Sequence, residues 1–320
     1  MSGWTTSNGE HLIRAQLWSN QIKEAFEDEL MGTKYVKFIE NFPDGDLINI
    51  PSIGQAPVYD YEEGQAVRYA AMDTGNFQFS IDTYVHSGTY ITEKMKQDSY
   101  LMSQLVSSFV PKQRRAIMKR MEADILKTGP NGQTTGNLNL INGGAHRWIG
   151  SGSSEALSIS DFIKARYSLS MAQVPMVNLV AIVDPTCEFA LASDTNLNSF
   201  VNNPMWRGIV ESGLTTGMKF IRNIHGFDVY VSHNLKKNTG SETINGKTAA
   251  TGVNNLFFAA AGDDAMPIVG QIRQQPKVDS EFNKDLQREE YVTTARWGFK
   301  LYRPENMICV VTDTDSVPSF

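Results

Sequence analysis

Apolar positions recur at steps of three or four from His11 to Met31. Leu12, Ala15, Ser19, Ile22, Phe26 and Leu30 fall in register, and Gly32 follows as a stop. The spacing predicts a helix ahead of any core-like segment, so it needs something else to pack on. Residues 1–9 are small and polar and predict a flexible tail. From residue 41 the period changes. Asp46 to Ile50 predicts a strand, bounded by Pro43-Asp-Gly and Pro51. A polar turn region follows through Gly54, Pro57 and Tyr59 to Gly64. Phe77, Phe79, Ile81, Thr83 and Val85 then alternate with polar residues, which is strand period. Together these segments predict a long β-hairpin with little core of its own. A lone hairpin is marginal in water, so this one predicts a partner on a neighbouring copy.

Residues 93–127 form the longest helical stretch, interrupted at Pro111 by a kink or by the start of a second helix. At about 100° per residue, Val110, Ile117, Met118, Met121 and Ile125 share one sector. Lys112, Arg115 and Lys119 cluster opposite them, so one face is core and the other cationic. Gly129-Pro130 is expected to end the helix. A Gly-, Asn-, Ser- and Thr-rich loop region runs from 129 to 155.

A compact α/β unit comes next. Phe162, Ala165, Leu169 and Ala172 predict an amphipathic helix over 161–172. Val177 to Val183 is nearly all apolar and predicts a central strand. Asp184-Pro185 and Asn203-Pro204 read as helix starts, with Gly213 closing the second. His225-Gly226 and Asn245-Gly246 predict tight hairpin turns. Leu256 to Ala261 predicts a buried strand. Tyr291 to Tyr302 predicts another, with Trp297, Phe299 and Leu301 on one face. A Pro304 turn leads to a returning strand at Met307–Val311, and Thr312–Phe320 is a polar tail.

Net charge is −6 over 320 residues, which excludes a wholly basic nucleic-acid-binding surface. The charge is polarised nonetheless. Residues 41–93 carry eight carboxylates against Arg68 alone, whereas 94–127 carry eight basic residues against three acidic ones. Cys187 and Cys309 lack CxxC spacing and sit in apolar stretches, as small buried hydrophobes do. The N-terminus has no signal-peptide pattern, and no apolar run is long enough for a membrane span.

Catalytic patterns are missing from the sequence. Gly240 to Thr248 has five residues between its glycines, where a phosphate-cradling loop needs four. The five histidines (11, 86, 146, 225, 233) form no HExxH and no helical pairing with a carboxylate. No GxSxG elbow occurs. Asp60, Glu62 and Glu63 lack the glycine and bidentate glutamate of a calcium loop and read as a solvated acidic tip. No catalytic, cofactor or metal residue is assigned. Lys112, Arg115 and Lys119 have no interleaved aromatics, so they suit phosphate neutralisation without sequence preference.

The order of parts resembles the major capsid protein of tailed bacteriophages, an α+β architecture known as the Hong Kong 97-type fold. Three stretches carry the resemblance: Asp44–Pro51 through Asp60–Gly64, Ile224–Leu235, and Tyr291–Pro304. It implies an N-terminal arm over 1–40, an E-loop over 41–92 and a P-domain spine helix over 93–128. An A-domain over 129–275 and closing P-domain strands over 276–320 complete it. It further implies self-assembly through hexamers and pentamers into an icosahedral shell around double-stranded DNA. The implied partners are further copies of the chain, a portal protein, scaffolding and cement proteins, and no membrane. The implied location is the virion, after assembly in the host cytoplasm. The spine helix of such shells lies toward the interior, which makes Lys112, Arg115 and Lys119 the candidate DNA-facing residues. Within the E-loop, Tyr59, Tyr61, Glu62, Glu63 and Arg68 are the candidates for contact with a neighbouring copy. Some relatives lock their shells with a Lys–Asn isopeptide bond from the E-loop. No lysine stands between Lys37 and Lys94, so no such bond is expected. Competing readings are an encapsulin-type nanocompartment shell, another virion component, or a cytoplasmic α/β enzyme.

Overall fold

The computed structural model describes residues 30–39, 47–53, 56, 58–69, 71, 74–98, 102–193, 220–238, 240–249 and 251–313. The helix expected over 11–31 lies almost entirely outside these residues. So do the Asn203-Pro204 helix and the chain beyond Asp313.

The chain opens with strands β1 (Val36–Phe38), β2 (Leu47–Ile53), β3 (Thr74–Ser80) and β4 (Thr83–Thr92). Helices α1 (Glu93–Asp98) and α2 (Met102–Gly132) follow. Next come β5 (Leu140–Ile141), β6 (Gly144–Ala145), β7 (Arg147–Ile149), α3 (Ile159–Met171), β8 (Leu179–Val183) and α4 (Pro185–Ser193). Then come β9 (Phe220–Ile224), β10 (Phe227–Val231), β11 (Glu242–Ile244), β12 (Lys247–Ala249) and β13 (Gly252–Ala259). The last are β14 (Ile268–Asn283), β15 (Arg288–Leu301) and β16 (Ile308–Asp313).

Two sheets organise the body. A six-stranded sheet has the order β7-β16-β13-β8-β10-β9, and a four-stranded one the order β1-β14-β15-β4. β8 is buried throughout, parallel to β10 and antiparallel to β13, which is the central place its apolar run predicts. Alternate residues of β8 and β13 point to opposite faces, as the pleat dictates. Leu179, Ala181, Val183 and Phe257 pack with Phe162, Ala165 and Leu169 of α3 and with Cys187 and Leu191 of α4. Val180, Ile182, Leu256 and Phe258 pack with Ile117, Met121, Ile125 and Leu126 of α2 and with Trp297 and Leu301 of β15. The sheet is thus sandwiched, with α2 and the four-stranded sheet on its second face.

Local chemistry explains the element ends. Asp161, fully buried, accepts from the Ser158 backbone N–H at 3.0 Å and from Trp148 Nε1 at 3.0 Å, capping α3 and pinning it to β7. Asp184 caps α4 through Thr186 N–H at 3.1 Å. His225 and Gly226 have φ of 49° and 91°, and Asn245 and Gly246 of 49° and 78°. Paired positive φ is the two-residue hairpin geometry that their sequences predict.

Two expectations need correction, and one strand was not foreseen. Gly129-Pro130 does not end α2, which runs on to Gly132 with Pro111 and Pro130 inside it. The glycines there serve close packing. A Cβ on Gly132 would stand 2.5 Å from Leu301 Cβ, and one on Gly129 3.1 Å from Met307 Sδ. The alternation over Phe77–Val85 is not one strand: it breaks at Ile81–Asp82, and β3 and β4 belong to different sheets. The 16-residue β14 carried no strand signal, because its outer half is polar and exposed and Pro276 falls at a register shift against β15.

Candidate interaction surfaces

The hairpin of β2 and β3 pairs in unbroken register from Leu47↔Ser80 to Ile53↔Thr74. As expected it has little core of its own, and its root shares a small core with the body. Ile48, Phe79 and Ile81 are buried with Val269 of β14, and Phe77 meets Tyr302 edge-on at 5.0 Å between centroids. Arg296 donates to the Ile81 carbonyl from Nη2 at 2.9 Å and from Nε at 3.2 Å. Lys300 Nζ donates to the Gln78 carbonyl at 2.7 Å. Gly298 lets the chain come this close: a Cβ there would lie 2.5 Å from Ser80 O and 2.9 Å from Ile81 Cα.

Its far end is the reverse. Residues 58–69 are exposed throughout, with Val58 at 93% and Tyr69 at 95%. Gly64 takes φ of 86°, and Gln65 N–H reaches Glu62 O at 3.2 Å to close the turn. Arg68 lies over the Tyr59 ring at 5.8 Å and shares a shallow concavity with Tyr61 and Glu62, and Glu63 follows in the same loop. All five sequence-predicted tip residues therefore share one loop. The loop is aromatic, acidic and exposed, on a root held by hydrogen bonds and a small apolar cluster.

The cationic side of α2 is less uniform than its spacing suggests. Lys119 is exposed, while Lys112 and Arg115 are half-buried. Arg114 and Arg120 are also exposed, and Arg120 pairs with Asp124 at 3.1 Å. The periodicity missed Glu122, which is 1% exposed. Its Oε2 accepts the Gly32 N–H at 3.2 Å, tying the segment before β1 to α2. Burial pushes its carboxyl above the usual carboxylate range, against the backbone N–H groups of Gly32 and Met31 and the charge of Arg115.

A second apolar surface lies on α3, whose outward residues Ile163, Tyr167 and Met171 recur at four-residue steps and are exposed. Among the described residues, no group of three or more His, Cys, Asp or Glu is placed to hold a metal ion. No helix of the described residues is long and apolar enough to cross a membrane. Both cysteines are buried, and burial pushes the Cys309 thiol up to about 12.

A family model described as phage capsid protein matches residues 76–310. Solved structures share the fold. A Mycobacterium phage Che8 chain matches at 17% identity and TM-score 0.68, covering 94% of this chain and 97% of its own. The capsid of cyanophage P-SCSP1u matches at 14% identity and TM-score 0.72, covering 96% and 94%. The capsid of Ralstonia phage GP4 matches at 12% identity and TM-score 0.68, covering 99% and 100%. No curated protein matches the sequence.

Proposed function

Because this chain belongs to the phage capsid protein family, and folds as the shell proteins of tailed phages do, we propose that it is a major capsid protein. It assembles through hexamers and pentamers into an icosahedral shell enclosing double-stranded DNA. Residues 1–40 serve as the N-terminal arm, 41–92 as the E-loop, 93–128 as the spine helix, 129–275 as the A-domain and 276–320 as the closing P-domain strands. The observation that carries this is the hairpin. Its root is clamped by Arg296, Lys300 and Gly298 while its tip is bare, as a part that reaches onto a neighbouring copy requires.

Lys112, Arg115 and Lys119 are the inward-facing cations that neutralise packaged phosphate without sequence preference. Half-burial of the first two leaves Lys119 as the stronger contributor. Partners are further copies, a portal, and scaffolding or cement proteins, in the virion after assembly in the host cytoplasm. Negative-stain electron microscopy of the purified chain, with and without a co-expressed scaffold candidate, tests this. Closed shells, tubes or hexamer sheets support it, and a strictly monomeric population under both conditions refutes it. Reversal of the α2 charges with DNA still packaged at full length and yield would remove the DNA-facing role alone.

A further inference from the structure

A pocket of about 490 Å³ opens beside the six-stranded sheet, lined by Thr135, Gly136, Arg147, Lys236, Lys237 and Glu242 among others. Its size is that of a ligand cleft. Its floor is a buried ion pair. Arg147, 1% exposed, donates from Nη2 to Glu242 Oε1 at 2.6 Å and from Nη1 to the Pro130 carbonyl at 3.4 Å, at the end of α2. Its Nε is buried without a hydrogen-bond partner.

Glu242 is fully engaged. Besides Arg147 it accepts from Asn238 Nδ2 at 2.8 Å and lies 3.4 Å from Gly136 N. The pocket's one carboxylate is therefore consumed by Arg147. Lys236 and Lys237 stand at the rim with no ion-pair partner among the described residues, an excess of two positive charges on a chain of net charge −6.

The complementary surface is on the same chain but without a partner there. The hairpin tip presents Asp60, Glu62 and Glu63, all exposed, around Tyr59 and Tyr61. None of these carboxylates has an ion pair among the described residues. We infer that the acidic hairpin tip of a second copy of this chain docks at the Lys236–Lys237 rim of the pocket floored by Arg147 and Glu242. The inference rests on the reading of the hairpin as a part that reaches a neighbouring copy, and it adds the receiving site. The pocket is a shallow depression open to solvent, on which a turn can settle, whereas the cations of α2 sit on a convex helix. Unpaired opposite charges on two patches steer one onto the other and disfavour wrong registers. The Arg147–Glu242 pair keeps the floor fixed, so the site is formed before the neighbour arrives.

A charge swap tests it in the full chain, under conditions where the wild type forms particles. E62K/E63K alone and K236E/K237E alone should each lower particle yield roughly tenfold or more at low salt. Carried together in one chain, they should restore it to near the wild-type value. Thermal melting of each unassembled variant confirms folding. If K236E/K237E assembles normally while E62K/E63K fails, the hairpin reaches a neighbour but not this pocket, and the inference falls alone. If both single-patch variants fail, fold normally and are not rescued by combination, the inference also falls. Shells of normal yield but reduced DNA content from K236E/K237E would reassign the lysines to phosphate and overturn it too. If E62K/E63K itself assembles normally, the reading of the hairpin as a contact between copies falls as well.

Discussion

Gly298→Ala turns the hairpin root into a measurable lever. The added Cβ would sit 2.5 Å from Ser80 O and 2.9 Å from Ile81 Cα, and both are backbone atoms that cannot rotate away. Restoring ordinary contact needs a shift of about 1 Å. Across a strand spacing of about 4.8 Å, that is a tilt of about 10°. The seven-residue strands β2 and β3 extend about 23 Å at about 3.3 Å per residue, so the tip moves by about 4 Å. The folded monomer should lose only about 1–3 kcal/mol, the usual cost of overpacking. Assembly should suffer far more, because a fixed displacement of about 4 Å exceeds the small angular play that the root's hydrogen bonds absorb and carries the tip carboxylates beyond the ion-pair reach of about 4 Å. Thermal unfolding of the monomer and sedimentation of assembly reactions measure the two effects separately. The expected result is a small fall in melting temperature with a loss of most particles. Wild-type particle yield from G298A would refute the lever argument, as would a monomer too unstable to fold.

Other outcomes follow from the same contacts. Arg147→Ala strands Glu242 in a buried site and should cost about 3–5 kcal/mol in chemical denaturation, whereas R147M/E242L should cost clearly less than the single change. Equal losses would show that the charges are not coupled. Glu122 has a raised folded-state pKa, so the folded state holds its proton more tightly than the unfolded chain. Its contribution to stability is therefore full at low pH and declines as pH rises from the usual 4.5 through the raised value. The melting temperature of the wild type relative to E122Q should fall over that window, and a flat difference would contradict it. Mature particles should run on denaturing gels as a single band near 35.6 kDa, because 38–93 contains no lysine. A ladder of covalent multimers would overturn that.

Much of the body was legible because its signals are local. The apolar run read over Val177–Val183 contains the strand Leu179–Val183, buried on both faces, and Asp184-Pro185 marks a helix start whatever surrounds it. Asn245-Gly246 and His225-Gly226 encode their turns in two residues. What escaped depends on distant partners. Gly129 and Gly132 look like a helix stop in sequence, yet they are spacers whose need arises from Met307 and Leu301. The outer half of β14 shows no burial pattern because its stability comes from pairing with β15. Arg147 sits in a loop-like, Gly-rich stretch, and nothing nearby announces that it pairs with Glu242 across 95 residues. Of the sites, the hairpin tip was readable as a contiguous acidic and aromatic loop. The pocket that we assign to it was not, since three separate segments build it.

In the shell we propose, one sequence occupies several environments, and the distribution of stiffness in this chain bears on how. Close-packed contacts concentrate where α2, β15 and the six-stranded sheet meet: Trp297, Met307, Cys309 and Ile125 are all essentially buried there. Interiors packed this way switch between arrangements rather than bend. Among the described residues, the hairpin is joined to this core at its root, by two cationic side chains on carbonyl oxygens, a glycine contact and a four-residue apolar cluster. A hinge of that kind holds direction through hydrogen bonds, which tolerate small angular change, while the glycine contact blocks translation. A tip guided by charge rather than by a tight apolar socket adds further tolerance, because Coulomb attraction falls off gradually with distance. Different angles between neighbours would then be absorbed at the root and tip of the hairpin, with the core unchanged. Salt should consequently weaken assembly without destabilising the monomer, since it screens the exposed tip charges and leaves the buried Arg147–Glu242 pair intact.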